Sequence, residues 1–368
     1  MREIGVRYGR RVAERVLSAL ELNRALLARQ LLLERVRLAL PRVLERIAGI
    51  QNQYAPNGYL RLWSCVEGFE REQLTHALER GSVIQGTLMR ETIHLVSRRD
   101  YALFAAAIRC SGREWRLRVD KGEERAQAAL ARTVARELRG RTVTRRELDE
   151  LVGRNPGVGH WVELVRVPPS GTWERRRADL FALASEWVGP LDASEDDGIE
   201  HLVRRYLGGF GPASAKDVAS WSKVTPARLK PVLERLALRR FRAEDGTELL
   251  DLPRAPLPDP ATPAPVRFLP TWDAALLVHA RRTLILPEEY RPLIFHTKAP
   301  QSFPTFLVDG AVAGTWKLDG GRVRLTPFGR LTRATRRELD EEGERLAAFH
   351  ADDSRAGGAA PRARRARS

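Results

Sequence analysis

Between Val12 and Leu252 one order of local patterns recurs. Runs with apolar residues at helical spacing are followed by a short alternating segment that folds back at a turn. In the first unit Val16, Leu17, Leu20, Leu22, Leu26, Leu27, Leu31 and Leu32 set a helical face that reaches Leu44, and Pro41 splits it into two helices. Tyr59–Cys65 and Phe69–Leu78 read as further helices, the latter ended by Arg80-Gly81, and Ser82–Val96 reads as a pair of short strands. The second unit has helical patterns over Asp100–Arg116 and Gln127–Leu138. Thr144 and Glu147 then form a capping box that opens another helix. Trp161–Val167 and Thr172–Arg175 flank the turn-forming Pro168-Pro169-Ser170-Gly171 as a second hairpin. The third unit places helices at Ile199–Tyr206, Ala213–Trp221 and Thr225–Leu238, and a hairpin at Phe241–Leu252 around Glu244-Asp245-Gly246. Helices followed by a β-hairpin are the order of a winged helix-turn-helix. The chain therefore reads as an α+β protein of tandem winged helix-turn-helix units.

The proline-rich stretch Pro253–Pro265 ends that part, and the remainder of the chain is β-rich. Strand patterns fall at Arg267–Leu269, Leu276–His279, Leu284–Leu286, Phe306–Val308, Val312–Trp316 and Arg322–Leu325, and an amphipathic helix at Thr335–Phe349. Beyond Ala351 the chain is mostly Gly, Ala and Arg, a composition that cannot bury a core and predicts disorder. The expected divisions are residues 11–118, 119–196 and 197–253 for the winged helices, 266–350 for a β-rich C-terminal domain, and 351–368 for a basic tail.

The formal net charge of +16 is carried almost wholly by arginine; Lys121, Lys216, Lys223, Lys230, Lys298 and Lys317 are all the lysines. Guanidinium forks match phosphate geometry, so a nucleic-acid partner is the simplest reading of such a balance, with arginine-rich codon usage as the competing one. Cys65 and Cys110 form no CxxC pair, and the seven histidines show no ligand spacing, so no metal and no cofactor is expected. The glycine-rich Gly153–His160 lacks the Lys-Ser/Thr of a phosphate-binding loop. No secretory leader and no run of about 18 apolar residues is present, so the expected location is the cytoplasm, at the nucleoid, as a monomer without membrane contact.

At Arg46–Tyr59 the apolar spacing of the preceding helix, continued by Ile47 and Ile50, stops at Gln51-Asn52-Gln53. Pro56 disfavours helix for the residue before it. Three carboxamides thus lie at or just past a helix end. A carboxamide donates and accepts hydrogen bonds and does not titrate. It suits holding a water or a base edge and does not suit strong proton abstraction; its bland role is to cap nearby backbone.

The segments GIQNQYAPNGYLRLWSCVEGF, TLMRETIHLV, PPSGTW, RRYLGGFGPASAKDVASW, RFLPTWDAALLVHARR and FLVDGAVAGTW, in that order over residues 15–350, resemble the winged-helix DNA glycosylases of the AlkZ and YcaQ type. The resemblance implies tandem winged helices forming a cleft, excision of alkylated bases from duplex DNA, and in some members unhooking of interstrand crosslinks or self-resistance to a genotoxic natural product. It places the catalytic glutamine signature on Gln51 and Gln53, as in the AlkZ branch; YcaQ relatives carry Asp at the second position. It also implies DNA contacts from Asn52, Arg90, Thr92 and His94 and from a later hairpin carrying His279, Arg281 and Arg282. The chain departs from the family pattern at Asn52, usually apolar; at Glu91, commonly glycine; at Cys65, commonly arginine; and at Arg281, which occupies an acidic slot. A carboxylate near DNA repels phosphate, so Glu91 must face away or contact a base. Trp63, Trp173, Trp272 and Trp316 read as core residues rather than stacking platforms.

An N7- or N3-alkylated purine is cationic and leaves without a general acid. Two amides that hold a water and direct dipoles at an oxocarbenium-like sugar suffice for it. No motif lysine is set to form a Schiff base, which implies a monofunctional glycosylase. The alternative is a non-catalytic winged-helix DNA binder or regulator, which explains the charge and the hairpins but not the glutamine pair.

Overall fold

The structure is a computed structural model that describes residues 15–120, 124–153, 156–279, 283–296 and 301–351. Strand β1 (Val16–Leu17) leads into α1 (Ala19–Arg29), α2 (Leu40–Ile47), β2 (Ile50–Gln51), α3 (Ala55–Cys65), α4 (Arg71–Glu79) and the hairpin β3 (Val83–Thr87)–β4 (Ile93–Ser97). The helical run expected from Val12 to Leu44 is interrupted more widely than Pro41 alone requires. Helix α1 stops at Arg29, Leu31 takes a left-handed φ of 57°, and Val36 bridges to Val66 in extended conformation. Gln30 is the cause, because its buried amide donates to Ile47 O (3.2 Å) and Gly209 O (2.8 Å) and turns the chain into the core. Pro41 sits in the first turn of α2, where its missing N–H costs nothing.

The second unit holds α5 (Arg98–Asp120), α6 (Glu124–Glu137), β5 (Val143–Thr144), α7 (Arg145–Val152), β6 (Leu164–Arg166), β7 (Leu180–Leu183) and α8 (Ala184–Trp187). The expected capping box is present: Thr144 Oγ1 accepts from Glu147 N (3.3 Å) and Glu147 accepts from Thr144 N (2.7 Å). The return strand lies later than Thr172–Arg175. That stretch coils on itself, with Ser170 Oγ accepting from Asp179 N and Leu180 N and Gly171 N bonded to Arg175 O.

The first two hairpins are not separate wings. Strands β3 and β6 pair antiparallel through Gln85↔Arg166 and Gly86↔Val165. Among the described residues this joins them into one sheet of order β2-β4-β3-β6-β7-β5. Gly86 lets α5 pack close on this sheet, since a Cβ there would lie 2.5 Å from the Tyr101 ring.

The third unit comprises α9 (Glu195–Phe210), α10 (Ala215–Ser222), α11 (Pro226–Arg235) and the hairpin β8 (Arg239–Ala243)–β9 (Glu248–Asp251), to which β1 adds in parallel. The main core among the described residues runs from α1 to the C-terminal part, and within it Phe104 of α5 packs ring against ring with Trp221, which in turn packs on Tyr206 and Phe210. Asp251, wholly buried, accepts from Arg29 Nη1 (2.7 Å) and Nη2 (3.0 Å) and from Arg239 Nη2 (2.6 Å), tying α1 to β9.

The C-terminal part has β10 (Arg267–Leu269), α12 (Arg291–Ile294), β11 (Phe295–His296), β12 (Gln301–Ser302), β13 (Thr305–Val308), β14 (Ala311–Asp319), β15 (Arg322–Pro327) and α13 (Arg333–Ala351). Its main sheet has the order β10-β13-β14-β15. Leu276–His279 and Leu284–Leu286 were expected as strands and form none. Asp273 caps a short 3-10 turn at Ala274–Leu276 and pairs with buried Arg61 at 3.0 Å. Leu276, Val278, Ile285 and Leu286 satisfy their apolar character by entering the main core without a partner strand. Ser64 and Asn57 of α3 bond Phe268 O (2.5 Å) and Thr271 Oγ1 (2.9 Å), which seats this part against the first unit. Among the described residues no helix is long and apolar enough to cross a membrane.

Candidate active site

Helix α2 ends in a left-handed turn, Ala48 (φ 61°) and Gly49 (φ 80°), which reverses the chain into β2. A Cβ at Gly49 would sit 3.0 Å from Leu95 O and from Val96 Cγ1, so glycine lets the turn press against β4. Strand β2 pairs antiparallel with β4 through Ile50↔Leu95 and Gln51↔His94. The glutamine stretch therefore follows a helix end, as its spacing implies, and lies on the outer edge of the six-stranded sheet.

The two glutamines stay accessible, Gln51 half-buried and Gln53 exposed. Among the described residues each amide oxygen meets one protein donor. Gln51 Oε1 accepts from Arg90 Nη2 at 2.6 Å, and Gln53 Oε1 accepts from Ile93 N at 3.1 Å. Each oxygen keeps a second lone pair and each Nε2 keeps its donors. The side chain of Gln53 extends the β4 ladder by one bond where the backbone no longer can.

Asn52 takes a different part from the DNA contact expected of it. It is 2% exposed; its N–H bonds Ile93 O (2.7 Å) and its Oδ1 accepts from Gly58 N (2.9 Å). Its amide clips β2 onto the first turns of α3, and a Cβ on Gly58 would come within 2.5 Å of Leu95 Cδ1. A polar residue thus occupies the usual apolar slot because a backbone donor faces it.

Arg90 lies in the turn between β3 and β4, in left-handed conformation (φ 56°), and Glu91 follows in the same conformation (φ 57°). Arg90 Nη1 reaches Trp221 O of α10 at 3.3 Å. Thr92 Oγ1 donates to Met89 O (2.9 Å), and His94 Nδ1 lies 3.0 Å from Thr92 O. A carbonyl only accepts, so the His94 proton sits on Nδ1. His94 is 2% exposed; burial, reinforced by the Arg90 charge, pulls its pKa down to about 3 against the Thr92 carbonyl. Neither its burial nor its neutrality suits a phosphate contact, and it acts as a strand brace behind Gln51.

Between its unfolded pKa near 6.5 and about 3, only the unfolded chain takes up a proton at His94. Stability therefore rises with pH through that window and falls as pH drops below about 6.5. We expect the melting temperature to decline between about pH 7 and about pH 5, and the decline to be shallower in His94→Gln. An equal slope in both proteins would show that His94 is not held neutral.

Glu91 points to the second unit, where its carboxylate pairs with His160 at 3.3 Å. Cys65 is buried at the end of α3, and burial pushes its thiol pKa up. His279 is half-buried and packs its ring against Tyr206 and Phe210. Arg281 and Arg282 lie outside the described residues. Trp173 and Trp316 are buried as expected.

Sequence reasoning passed over Tyr54. It follows Gln53 directly, is 47% exposed, and is held by Arg176 Nη1 donating to its hydroxyl at 2.9 Å. Its place beside the glutamines was a usable signal. The Trp221 carbonyl, 170 positions from Gln51 in sequence, gave none.

The model of the AlkZ-like DNA glycosylase family matches residues 44–349. Among solved structures, Streptomyces sahachiroi DNA glycosylase AlkZ is similar in fold, with a TM-score of 0.74 at 19% sequence identity, covering 94% of this chain and 99% of that one. No curated protein matches the sequence. The family match spans the glutamine strand, the joined hairpins and most of the C-terminal sheet and helix, and on that extent the chain belongs to the AlkZ-like DNA glycosylase family.

Proposed function

We propose that this protein is a monofunctional DNA glycosylase that hydrolyses the N-glycosidic bond of alkylated purines, including bulky adducts and crosslinked bases. It acts as a monomer on duplex DNA at the nucleoid, in repair or in self-resistance to a genotoxic natural product. The observation that carries this reading is the placing of Gln51 and Gln53 together on an accessible sheet edge. Each amide retains one lone pair for a water and two N–H donors for the nucleotide.

Alkylation at N7 or N3 leaves the purine positively charged. The glycosidic electrons flow into it, and no general acid is needed. Positive charge then builds on the sugar ring, where the free lone pairs of the two amides favour it and orient the attacking water. The water loses its proton to solvent after attack. Undamaged bases, which leave as anions, are spared because neither glutamine can donate a labile proton. Neutral His94, buried behind the strand, supplies none either.

The test is incubation of the purified chain with a duplex carrying one N7-alkylguanine, then alkali to cleave abasic sites. Strand breaks that appear only after alkali are expected. Binding of the damaged duplex with no base released would show a non-catalytic DNA binder. Breaks without alkali would show lyase activity.

A further inference from the structure

We propose that Arg90 is a positioning residue that fixes the orientation of the Gln51 carboxamide for base release. This rests on the reading of the chain as a glycosylase. A guanidinium only donates, so the 2.6 Å contact settles which amide atom faces Arg90: it is the oxygen, and the Gln51 N–H donors are turned away from it. Without that contact the amide could rotate end for end at little cost, and the lone pair presented to a water would be replaced by a donor half the time.

Arg90 is itself held at its other arm. Trp221 lies in the last turn of α10, where carbonyls have no intrahelical partner and carry the negative end of the helix dipole. Arg90 Nη1 donates to that orphan carbonyl. The Trp221 indole is wedged against Tyr206 (5.2 Å) and Phe210 (5.9 Å), so the carbonyl is a fixed point. Among the described residues no carboxylate pairs with Arg90, although it is half-buried. A guanidinium withdrawn from water with only neutral acceptors is an expensive arrangement, and the left-handed backbone at Arg90 and Glu91 adds to it. The fork spans β2, the β3–β4 turn and α10, so it sets Gln51 against the third unit and not merely against its own hairpin.

A phosphate contact at Arg90 makes the opposite demands. It needs charge and tolerates lysine, whereas the fork cannot be replaced by a point charge. The experiment uses the full chain and an N7-methylguanine duplex, with enzyme in excess for single-turnover rates and anisotropy for Kd across a salt series. Arg90→Lys and Arg90→Gln should both slow base release roughly tenfold to a hundredfold, with Kd and its salt slope close to wild type. Arg90→Lys at the wild-type rate overturns the proposal. So does a salt slope lower by about one in Arg90→Gln, the mark of a lost phosphate contact. If Arg90→Gln does not fold, Arg90→Lys alone decides. A wild-type protein that releases no base defeats the glycosylase reading and this proposal with it; a wild type that cleaves while Arg90→Lys matches it defeats this proposal only.

Discussion

Gln51→Ala and Gln53→Ala are expected to release base from an N7-alkylguanine duplex at least about a hundredfold more slowly than wild type, while binding it within a few-fold. The scale is that of one fixed polar group acting on charge developing in the transition state, about 10²–10³ in rate. Gln51 loses the amide that Arg90 orients, and Gln53 loses the one clamped by Ile93 N. Both side chains are removed from an accessible edge and not from the core, so the fold should persist. The check is single-turnover base release together with anisotropy and a melting curve. Either variant working at the wild-type rate would remove that glutamine from the chemistry.

The largest expected effect on stability is at Asp251. Asp251→Asn keeps the volume but leaves the buried guanidinium of Arg29 and that of Arg239 without their shared carboxylate. Arg29 is 1% exposed at its side chain and Asp251 0%, so solvent cannot take over. Breaking a buried pair of this kind costs about 3–5 kcal/mol, and in a chain of this size that lowers the melting temperature by roughly 10 °C. Arg29 cannot shift to relieve it. The same guanidinium donates to Leu207 O at 2.9 Å and lies against Gly211, where a Cβ would meet Nη1 at 2.6 Å. Calorimetry settles the matter, and a loss below about 1 kcal/mol would show that the pair is dispensable.

Local chemistry was legible where it was self-contained. The Thr144–Glu147 box needs only residues three apart, and the Glu244-Asp245-Gly246 turn needs only a glycine able to adopt φ 82°. The hairpin at Ser82–Val96 showed in its alternation, and the glutamines showed as polar residues breaking an apolar face. The features that did not show depend on partners distant in sequence. Gln85 and Gly86 give no hint that they pair with residues 165 and 166. Leu276, Val278, Ile285 and Leu286 lie in stretches with a strand signature, yet burial in the main core satisfies them without a ladder. Asn52 read as a polar residue free to meet DNA, because nothing near it in sequence announces that the Gly58 N–H needs an acceptor. Arg90 read as a cation for DNA, since its acceptors within the protein, an amide and an orphan helix carbonyl, carry no charge to advertise them.

The junction of β3 with β6 bears on how the chain can be divided. Residues 15–118 look like a module that could be expressed alone, but such a fragment would bare the β3 edge, with Gln85 and Gly86 presenting unsatisfied backbone groups to solvent. Open edges of this kind recruit other strands and aggregate. The glutamine strand is thus inseparable from the arginine-rich second unit, and the smallest stable piece of this chain has to include both.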